Sequence, residues 1–179
     1  MEPIRKLSME ELGRISVQEY KTLAKLNVVV VLDNVRSLHN VGSLFRTSDA
    51  FAVSHLYLAG ITGTPPHREI HKSALGATES VPWSYHEHTG ELVSDLIKDG
   101  YETVVVEQTT GSHSLEKFVP AIEKKYCLIF GNEVDGVSDE VLKMANIALE
   151  IPQSGTKHSL NVSVCAGIIL WHFYKQLAL

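Results

Sequence analysis

The 179-residue chain has no apolar run long enough to cross a lipid bilayer. Its longest apolar stretches, at 28–32 and 164–171, fall well short of the roughly 18 to 20 residues that a spanning helix needs. The N-terminal sequence MEPIRKLSMEEL contains no apolar signal region. These two absences predict a cytoplasmic protein without a membrane anchor.

Cysteine and positive charge are also scarce. Cys127 and Cys165 show neither a C-x-x-C spacing nor a framework of pairs, so small buried thiols in a reducing compartment are expected. The formal charge of −5 argues against a nonspecific binder of polyanions. The acid-rich stretch 87–116 is expected to be a solvated face turned away from nucleic acid. Any RNA would instead meet the cations in or beside loops, which are Arg36, Arg46, Arg68, Lys72 and Lys157.

Three common motifs are excluded, because each lacks a residue that it requires. No G-x-G-x-x-G follows the first predicted strand, which disfavours a dinucleotide oxidoreductase. In GNEVDGVS, Val137 stands where the lysine of a phosphate-binding loop must be. In HREIH, Glu69 is at the wrong position for a zinc protease, so a metal site is not expected.

Strand and helix patterns alternate along the chain. Short runs rich in valine, isoleucine and leucine are typical of buried parallel strands. We place strands at 27–33, 54–60, 101–108, 125–132 and 145–152, with 81–87 as a further short candidate. We place helices near 41–53, 69–76, 90–99, 139–145 and 160–178. The predicted fold class is α/β, a mostly parallel sheet with helices on both faces.

The first 26 residues are expected to form a short helical extension rather than a domain. They contain two S-x-x-E capping boxes, Ser8 with Glu11 and Ser16 with Glu19, which predict short helices. The remainder, residues 27–179, is long enough for a single domain with one core.

Asn40, Gly42 and Arg46 follow the first strand, where open α/β sheets place their ligands. Asn40 is predicted to cap a helix, and Gly42 and Arg46 would lie one turn apart on one face of it. Because Gly42 has no side chain, an anion could approach the helix N-terminus and meet the guanidinium of Arg46. This pattern suits a phosphate, although Arg46 could equally pair with Asp49 on the surface.

Similar loops, at 106–112, 131–136 and 151–161, end three other strands and could together enclose a small cofactor. Their glycines let the main chain pass close to a ligand, and Glu133 adds a carboxylate without an obvious helix partner. Ser159 and Asn161 precede an almost wholly apolar helix, where unpaired buried polar groups cost free energy. We therefore expect both to face the same crevice, although Ser159 could also be an ordinary helix cap.

The blocks NVGSLFRTSDAF, LIFGNEVDGVSDEVL and IPQSGTKHSLNVSVCAG resemble, in order and spacing, the signature blocks of one enzyme family. This is the SpoU-type, TrmH-like branch of the SPOUT RNA ribose 2′-O-methyltransferases. The resemblance runs from about Val28 to the C-terminus, and HKSALGA (71–77) and VEQT (106–109) are similar to family blocks as well. Cys165 stands where alanine is more usual, a departure that hardly affects function.

The resemblance implies properties that spacing alone could not show. The family's α/β sheet ends in a C-terminal segment threaded into a trefoil knot, a rare exception to unknotted topology. S-adenosylmethionine binds in the knot, and the enzymes are usually homodimers. The cofactor contacts carry over, largely through main chain, to Thr109, Gly131, Ile151 and Leu160. The catalytic residues carry over to Asn40, Arg46, Glu133, Ser159 and Asn161.

These residues would align the reactants and stabilise charge, because a methyl sulfonium is reactive without a metal. An arginine stays protonated in proteins, so we expect Arg46 to clamp the adjacent phosphate and the developing alkoxide rather than to act as a base. Asn40 would fix the ribose, and Glu133 would orient the loop or the cofactor amine. Ser159 and Asn161 would hold the arginine and the substrate.

The expected substrate is a structured RNA. Family members that read large ribosomal RNA often carry an added RNA-binding domain, whereas a short leader precedes the family blocks here, so transfer RNA is favoured over ribosomal RNA. Two hypotheses from other classes stay open: a catalytically silent RNA-binding or ribosome-assembly dimer, and a small-molecule enzyme with a nucleotide cofactor. The complete catalytic set disfavours the first, and the absent glycine fingerprint disfavours the second.

Overall fold

The computed structural model describes residues 4–8, 10–13, 15–157 and 159–179 of the chain. Five strands match the predicted ones to within two residues at each end, the candidate at 81–87 is also a strand, and a two-residue strand is added. The seven are β1 (Leu26–Asp33), β2 (Val53–Ala59), β3 (Trp83–His86), β4 (Tyr101–Val106), β5 (His113–Ser114), β6 (Lys125–Phe130) and β7 (Ile147–Glu150).

The strands form one sheet in the order β3-β2-β1-β6-β4-β7-β5, and the neighbouring pairs are parallel. At its centre, Val30 of β1 pairs with Leu56 of β2 and Leu128 of β6, and all three are fully buried. Strands covered on both faces read as continuous apolar runs, which is why the sequence located them. The predicted parallel α/β sheet is confirmed.

Helices cover both faces of the sheet. They are α1 (Val17–Thr22), α2 (Leu38–Ala50), α3 (Arg68–Ala74), α4 (Ala77–Ser80), α5 (Thr89–Lys98), α6 (Asp139–Leu142) and α7 (Val162–Ala178). On one face, α2, α3 and α7 bury Leu44, Ile70 and Ile169 in the larger core cluster. On the other, α5 and α6 bury Val93 and Val141. No helix of the described part of the chain is long and apolar enough to cross a membrane.

The described residues of the N-terminal extension contain one helix rather than two. Ser16 and Glu19 form the expected capping box, and α1 follows it. Ser8 and Glu11 form the same reciprocal pair, but residues 10–13 make only a turn, because Gly13 at φ 56° ends it in the left-handed conformation. Residues 1–3, 9 and 14 of the predicted extension lie outside the described residues.

Helix α2 begins three residues earlier than predicted, and its cap is Ser37. The Ser37 side chain accepts a hydrogen bond from the Asn40 N–H at 3.3 Å. Asn40 is therefore the third residue inside α2, and the prediction that it caps the helix is wrong. Serine is as good a cap as asparagine, so the pattern alone could not choose between them. The Asn40 amide is left free to bond elsewhere.

Gly42 faces α3 rather than an open anion site. A Cβ on Gly42 would lie 2.1 Å from Ser73 Oγ and 2.3 Å from the Ile70 carbonyl oxygen, closer than unbonded atoms approach. The prediction that an anion passes over Gly42 is wrong, because α3 occupies that space. Gly42 instead allows α2 and α3 to pack in direct backbone contact.

Replacing Gly42 by alanine should therefore lower the free energy of unfolding by about 1–3 kcal/mol, the usual cost of overpacking. The sign of the stability change distinguishes a packed position from an open one, because a glycine-to-alanine change at an open helical position stabilises by about 1 kcal/mol. Urea denaturation measures the free energy of unfolding. Ser43→Ala, at a partly exposed position of the same helix, is the control. A stabilised Gly42→Ala protein would show that α3 does not pack as described.

Candidate functional site

A cavity of about 360 Å³ opens at the carboxyl ends of β4, β6 and β7 and at the start of α7. Its walls combine apolar side chains, glycine main chain and three carboxylates. The lining residues used below are Glu107, Gly131, Glu133, Glu150, Ile151, Ser159, Leu160, Asn161 and Cys165. The cavity lies where open α/β sheets bind ligands, and its volume falls within the range of small-molecule sites.

The loop after β6 forms a tight hairpin that holds one wall of the cavity. Asn132 and Gly136 exchange two main-chain hydrogen bonds, of 2.9 and 3.0 Å. The Asn132 side chain also donates to the Asn34 carbonyl at 2.8 Å, which joins the hairpin to the end of β1. A side chain at Gly131 would collide with the Gly136 main chain, so only glycine permits this closure.

The hairpin directs Glu133 at the N-terminus of α2. One carboxylate oxygen accepts from the Arg36 N–H at 2.9 Å, and the other accepts from the Ser37 N–H at 3.0 Å and from Asn40 Nδ2 at 2.9 Å. The N-terminal end of a helix has unpaired N–H groups and a positive dipole end, so a carboxylate is well placed there. This contact explains the carboxylate for which the sequence offered no partner.

A chain of side-chain hydrogen bonds continues from Glu133 to α7. Asn40 Nδ2 donates to Glu133, and Asn40 Oδ1 accepts from Asn161 Nδ2 at 3.2 Å. Asn161 caps α7, because its side-chain Oδ1 accepts from the Ser163 and Val164 N–H groups. Three predicted catalytic residues, separated by up to 121 positions in sequence, thus form one connected unit.

The environment keeps Glu133 ionised. Partial burial alone would raise the pKa of its carboxyl group, but hydrogen bonds from the Arg36 N–H, the Asn40 amide and the Ser37 N–H outweigh that effect. The net result is a pKa below the ordinary value. Glu133 is therefore a fixed acceptor at neutral pH rather than a proton donor.

Most predicted cofactor residues line the cavity. Gly131, Ile151 and Leu160 are part of its wall. Thr109 lies outside the lining formed by the described residues, and its N–H donates to Ser112 Oγ at 3.4 Å. The segment before it contributes Glu107 instead, from the same sequence block.

Ser159 and Arg46 differ in their relation to the hydrogen-bonded unit of Glu133, Asn40 and Asn161. Ser159 lines the same cavity as Glu133 and Asn161, and it is not the cap of α7. Arg46 is exposed on α2, about 9 Å along the helix axis from Asn40 at 1.5 Å per residue, and faces a different groove. Within the described ranges, no ion pair joins Arg46 to Asp49. One chain therefore brings together four of the five predicted catalytic residues.

Sequence reasoning missed two carboxylates at this edge of the sheet. Glu107 lies in the acid-rich stretch that was expected to be solvated and also in the loop 106–112 that was expected to help enclose a cofactor, but its own side chain was not singled out. It lines the cavity and accepts from the Val137 N–H at 3.1 Å. Its place in the VEQT block was the available signal. Asp33 is buried at the end of β1 and accepts from Thr89 Oγ1 and the Ser138 N–H. A lone aspartate after a strand gave no signal of such burial.

Cys165 lies on the cavity wall but is not poised as a nucleophile. Burial, reinforced by the negative charge of Glu107, raises the pKa of its thiol to about 11. The thiol is therefore protonated at neutral pH and acts as an apolar wall.

The geometry defines an α/β protein with an acidic small-molecule cavity built from strand-end loops. Residues 27–171 match the model of the SpoU rRNA Methylase family. The chain is 31% identical to the tRNA (guanosine(18)-2′-O)-methyltransferase of Aquifex aeolicus, over 84% of this chain and 70% of that protein. It is 30% identical to the enzyme of the same name from Thermus thermophilus, over 93% and 84% respectively. The chain belongs to the SpoU family, which confirms the predicted membership.

Solved structures share the fold. An AdoMet-bound rRNA methyltransferase from Sinorhizobium meliloti aligns with a TM-score of 0.80 at 26% identity, over 89% of this chain and 61% of that one. The TrmH/SpoU tRNA modifying enzyme of A. aeolicus aligns with a TM-score of 0.79 at 28% identity, over 89% and 81%. The chain spans 63% of the length of a relative in Staphylococcus haemolyticus.

Glu133→Gln should destabilise the protein at neutral pH by about 1 kcal/mol, allowing for exposure of the side chain. Glutamine has one acceptor oxygen, so its NH₂ group would face the N–H donor of Arg36 or of Ser37, just before α2. A lowered pKa means that the carboxylate contributes in full above the ordinary value of 4.5 and less as pH falls through the folded-state pKa.

The difference in free energy of unfolding between wild type and Glu133→Gln should therefore shrink in acid. Chemical denaturation between about pH 7 and about pH 3, a range that extends well below the ordinary pKa of 4.5, measures it. Asp135→Asn, at an exposed position of the same hairpin, is the matched control and should change little. A difference that is constant with pH would contradict an ionised Glu133 as the cause.

Proposed function

We propose that the protein transfers the methyl group of S-adenosylmethionine to a ribose 2′-hydroxyl of structured RNA. The observation that carries this proposal is the Glu133–Asn40–Asn161 hydrogen-bonded unit at the edge of the acidic cavity. Transfer RNA is the first candidate substrate and ribosomal RNA the alternative. Relatives named for each substrate support keeping both candidates. The A. aeolicus relative is named as a tRNA methyltransferase, and a 23S rRNA (guanosine-2′-O-)-methyltransferase of Vibrio cholerae is 27% identical over 98% of this chain.

The cavity suits this cofactor in charge and shape. Glu107, Glu133 and Glu150 line it, and no lysine or arginine is among its described lining residues. S-adenosylmethionine carries a sulfonium and an ammonium group, so an acidic cavity favours it electrostatically. Gly131, Ile151 and Leu160 would supply main-chain contacts and apolar walls. When bound, the cofactor supplies the electrophilic methyl group.

The protein's own residues would position the ribose and stabilise charge. Asn40 and Asn161 are locked to each other, so their remaining amide hydrogens have a fixed direction. Glu133, already saturated by α2, holds this pair and the hairpin rather than removing a proton. Ser159, two residues before Asn161 on the cavity wall, would add a hydroxyl. Arg46 would bind the neighbouring phosphate and the developing alkoxide as a permanent cation.

A homodimer would bring Arg46 to a cavity. Helix α7 exposes Val164, Ile168 and Trp171 on one stripe. An exposed apolar stripe of this kind favours association with a second copy. In such a dimer, Arg46 of one subunit would serve the cavity that contains Asn161 of the other.

The family's C-terminal trefoil knot and a cytoplasmic location belong to the same proposal. The knot is supported by the alignment with solved relatives and by α7, which returns from β7 near one sheet edge to pack on α2 and the central β1. Residues 27–179 would then act as the catalytic unit, with 1–26 as its extension.

The proposal is tested by calorimetric titration with S-adenosylmethionine and by nucleotide-resolution 2′-O-methyl mapping of RNA from cells with and without the protein. Binding of the cofactor and loss of one methylated site are expected. Arg46→Ala should abolish most turnover but leave cofactor affinity unchanged, because Arg46 lies outside the cavity. Cofactor binding without any lost methyl mark would indicate a catalytically silent RNA-binding protein.

The dimer hypothesis predicts complementation between two inactive variants, Arg46→Ala and Asn161→Ala. Random mixing makes about half the dimers hybrid, and each hybrid would contain one site with both wild-type residues, so roughly a quarter of wild-type activity should return. Methylation by the co-expressed, purified pair measures it. Confirmed hybrids with no recovered activity would place both residues in one subunit's site.

A further inference from the structure

A second depression, a groove of about 650 Å³, lies between α2, α3 and the middle of α7. It is separate from the cavity, since the two share no lining residue. We name it the α2–α3 groove, and its lining consists of His39, Ser43, Arg46, Thr47, Ala50, Phe51, Lys72, Ser73 and Gly167.

The two depressions have opposite charge. Three glutamates line the cavity, whereas the α2–α3 groove has Arg46 and Lys72 and no carboxylate among its described lining residues. Lys72 forms an ion pair with Glu69, with 2.7 Å between Lys72 Nζ and Glu69 Oε1. Both side chains of that pair are about half exposed, so the pair is weak and a phosphate can replace the carboxylate. The groove is basic on a chain of net charge −5.

The hydroxyl groups of the groove are already committed as donors. Ser43 donates to the His39 carbonyl at 2.9 Å, Thr47 to the Ser43 carbonyl at 3.0 Å and Ser73 to the Glu69 carbonyl at 3.2 Å. A phosphate only accepts hydrogen bonds, so these hydroxyls offer it little. The two cations are therefore the groups that would hold an anion here.

The close packing of α2 on α3 fixes the relation between those cations. Gly42 lies one turn before Arg46 on α2, and Ser73 lies next to Lys72 on α3. Because the helices meet at Gly42 and Ser73, the backbones that bear Arg46 and Lys72 cannot separate freely. Two cations carried by helices in fixed relation match a polymer with regularly spaced negative charges better than a single small anion.

We propose that the α2–α3 groove binds the RNA backbone beside the target nucleotide, with Lys72 on a phosphate next to the one that Arg46 holds. This inference rests on the proposed function and assigns Lys72 as a binding residue. Recognition through phosphates is independent of base identity and strongly dependent on salt. The groove would therefore set affinity and register, while the cavity performs the transfer.

Binding of folded, unfractionated transfer RNA by the full chain tests the inference, measured across a range of salt concentrations. Lys72→Ala should reduce the magnitude of the slope of log K against log salt by about 0.7 to 0.9, the values for one phosphate contact on a single strand and on a DNA duplex. Raising salt from about 50 to about 200 mM should then shrink the wild-type advantage about 2.6- to 3.5-fold. Lys72→Arg should retain the wild-type slope, and affinity for S-adenosylmethionine should be unchanged in both variants.

Lys124→Ala is the matched control. Lys124 is about as exposed as Lys72 and is likewise paired with a glutamate, Glu102, but it lies next to the amino end of β6, away from the strand-end loops. The slope of log K against log salt for Lys124→Ala should equal that of wild type. An unchanged slope for Lys72→Ala, or an equal fall for Lys124→Ala, overturns the inference.

The assay separates this inference from the proposed function, because it measures binding without methyl transfer. If the wild type binds RNA and Lys72→Ala lowers the slope as expected, but no RNA is modified, the proposed function fails and the assignment of the groove to RNA is retained. If methylation occurs and the Lys72→Ala slope is unchanged, the groove assignment alone fails. Absence of any RNA binding by the wild type would overturn both.

Discussion

The carboxylate of Glu133 at the N-terminus of α2 is the contact on which the site depends. It joins the hairpin after β6 to α2, and through Asn40 it reaches the cap of α7. A charged acceptor is effective here because the first N–H groups of a helix have no partner within the helix. One ionised side chain therefore aligns three segments that the sheet alone would leave independent.

The separation of charge between two neighbouring depressions follows from the same helix. The N-terminal end of α2 attracts the carboxylate of Glu133 and so borders an acidic cavity, while the exposed flank further along presents Arg46. The proposed cationic cofactor and polyanionic substrate need opposite fields, and binding in separate depressions would avoid the mutual cancellation of these fields. The net negative charge of the whole chain conceals this arrangement.

Agreement between prediction and structure is best where local physics decides. Valine-rich strands such as β1 are buried on both faces, so their apolar runs alone locate them. The start of α2 was misplaced because Ser37 and Asn40 are equally good caps, and only packing selects between them. The open anion approach expected at Gly42 proved to be a helix contact, because α3 is distant in sequence. The acidic face expected to be solvated proved to include a cavity wall at Glu107, because the other walls also come from distant elements.

By itself, the sequence determined the parallel α/β architecture, the family and the identity of the polar residues at the strand ends. These are local properties, encoded in side-chain periodicity and in short blocks with a fixed order. Only the tertiary structure decided that Glu133, Asn40 and Asn161 are one hydrogen-bonded unit and that Arg46 faces away from it. The reason is physical: contacts between residues about a hundred positions apart depend on how strands are ordered in the sheet, which no local pattern encodes.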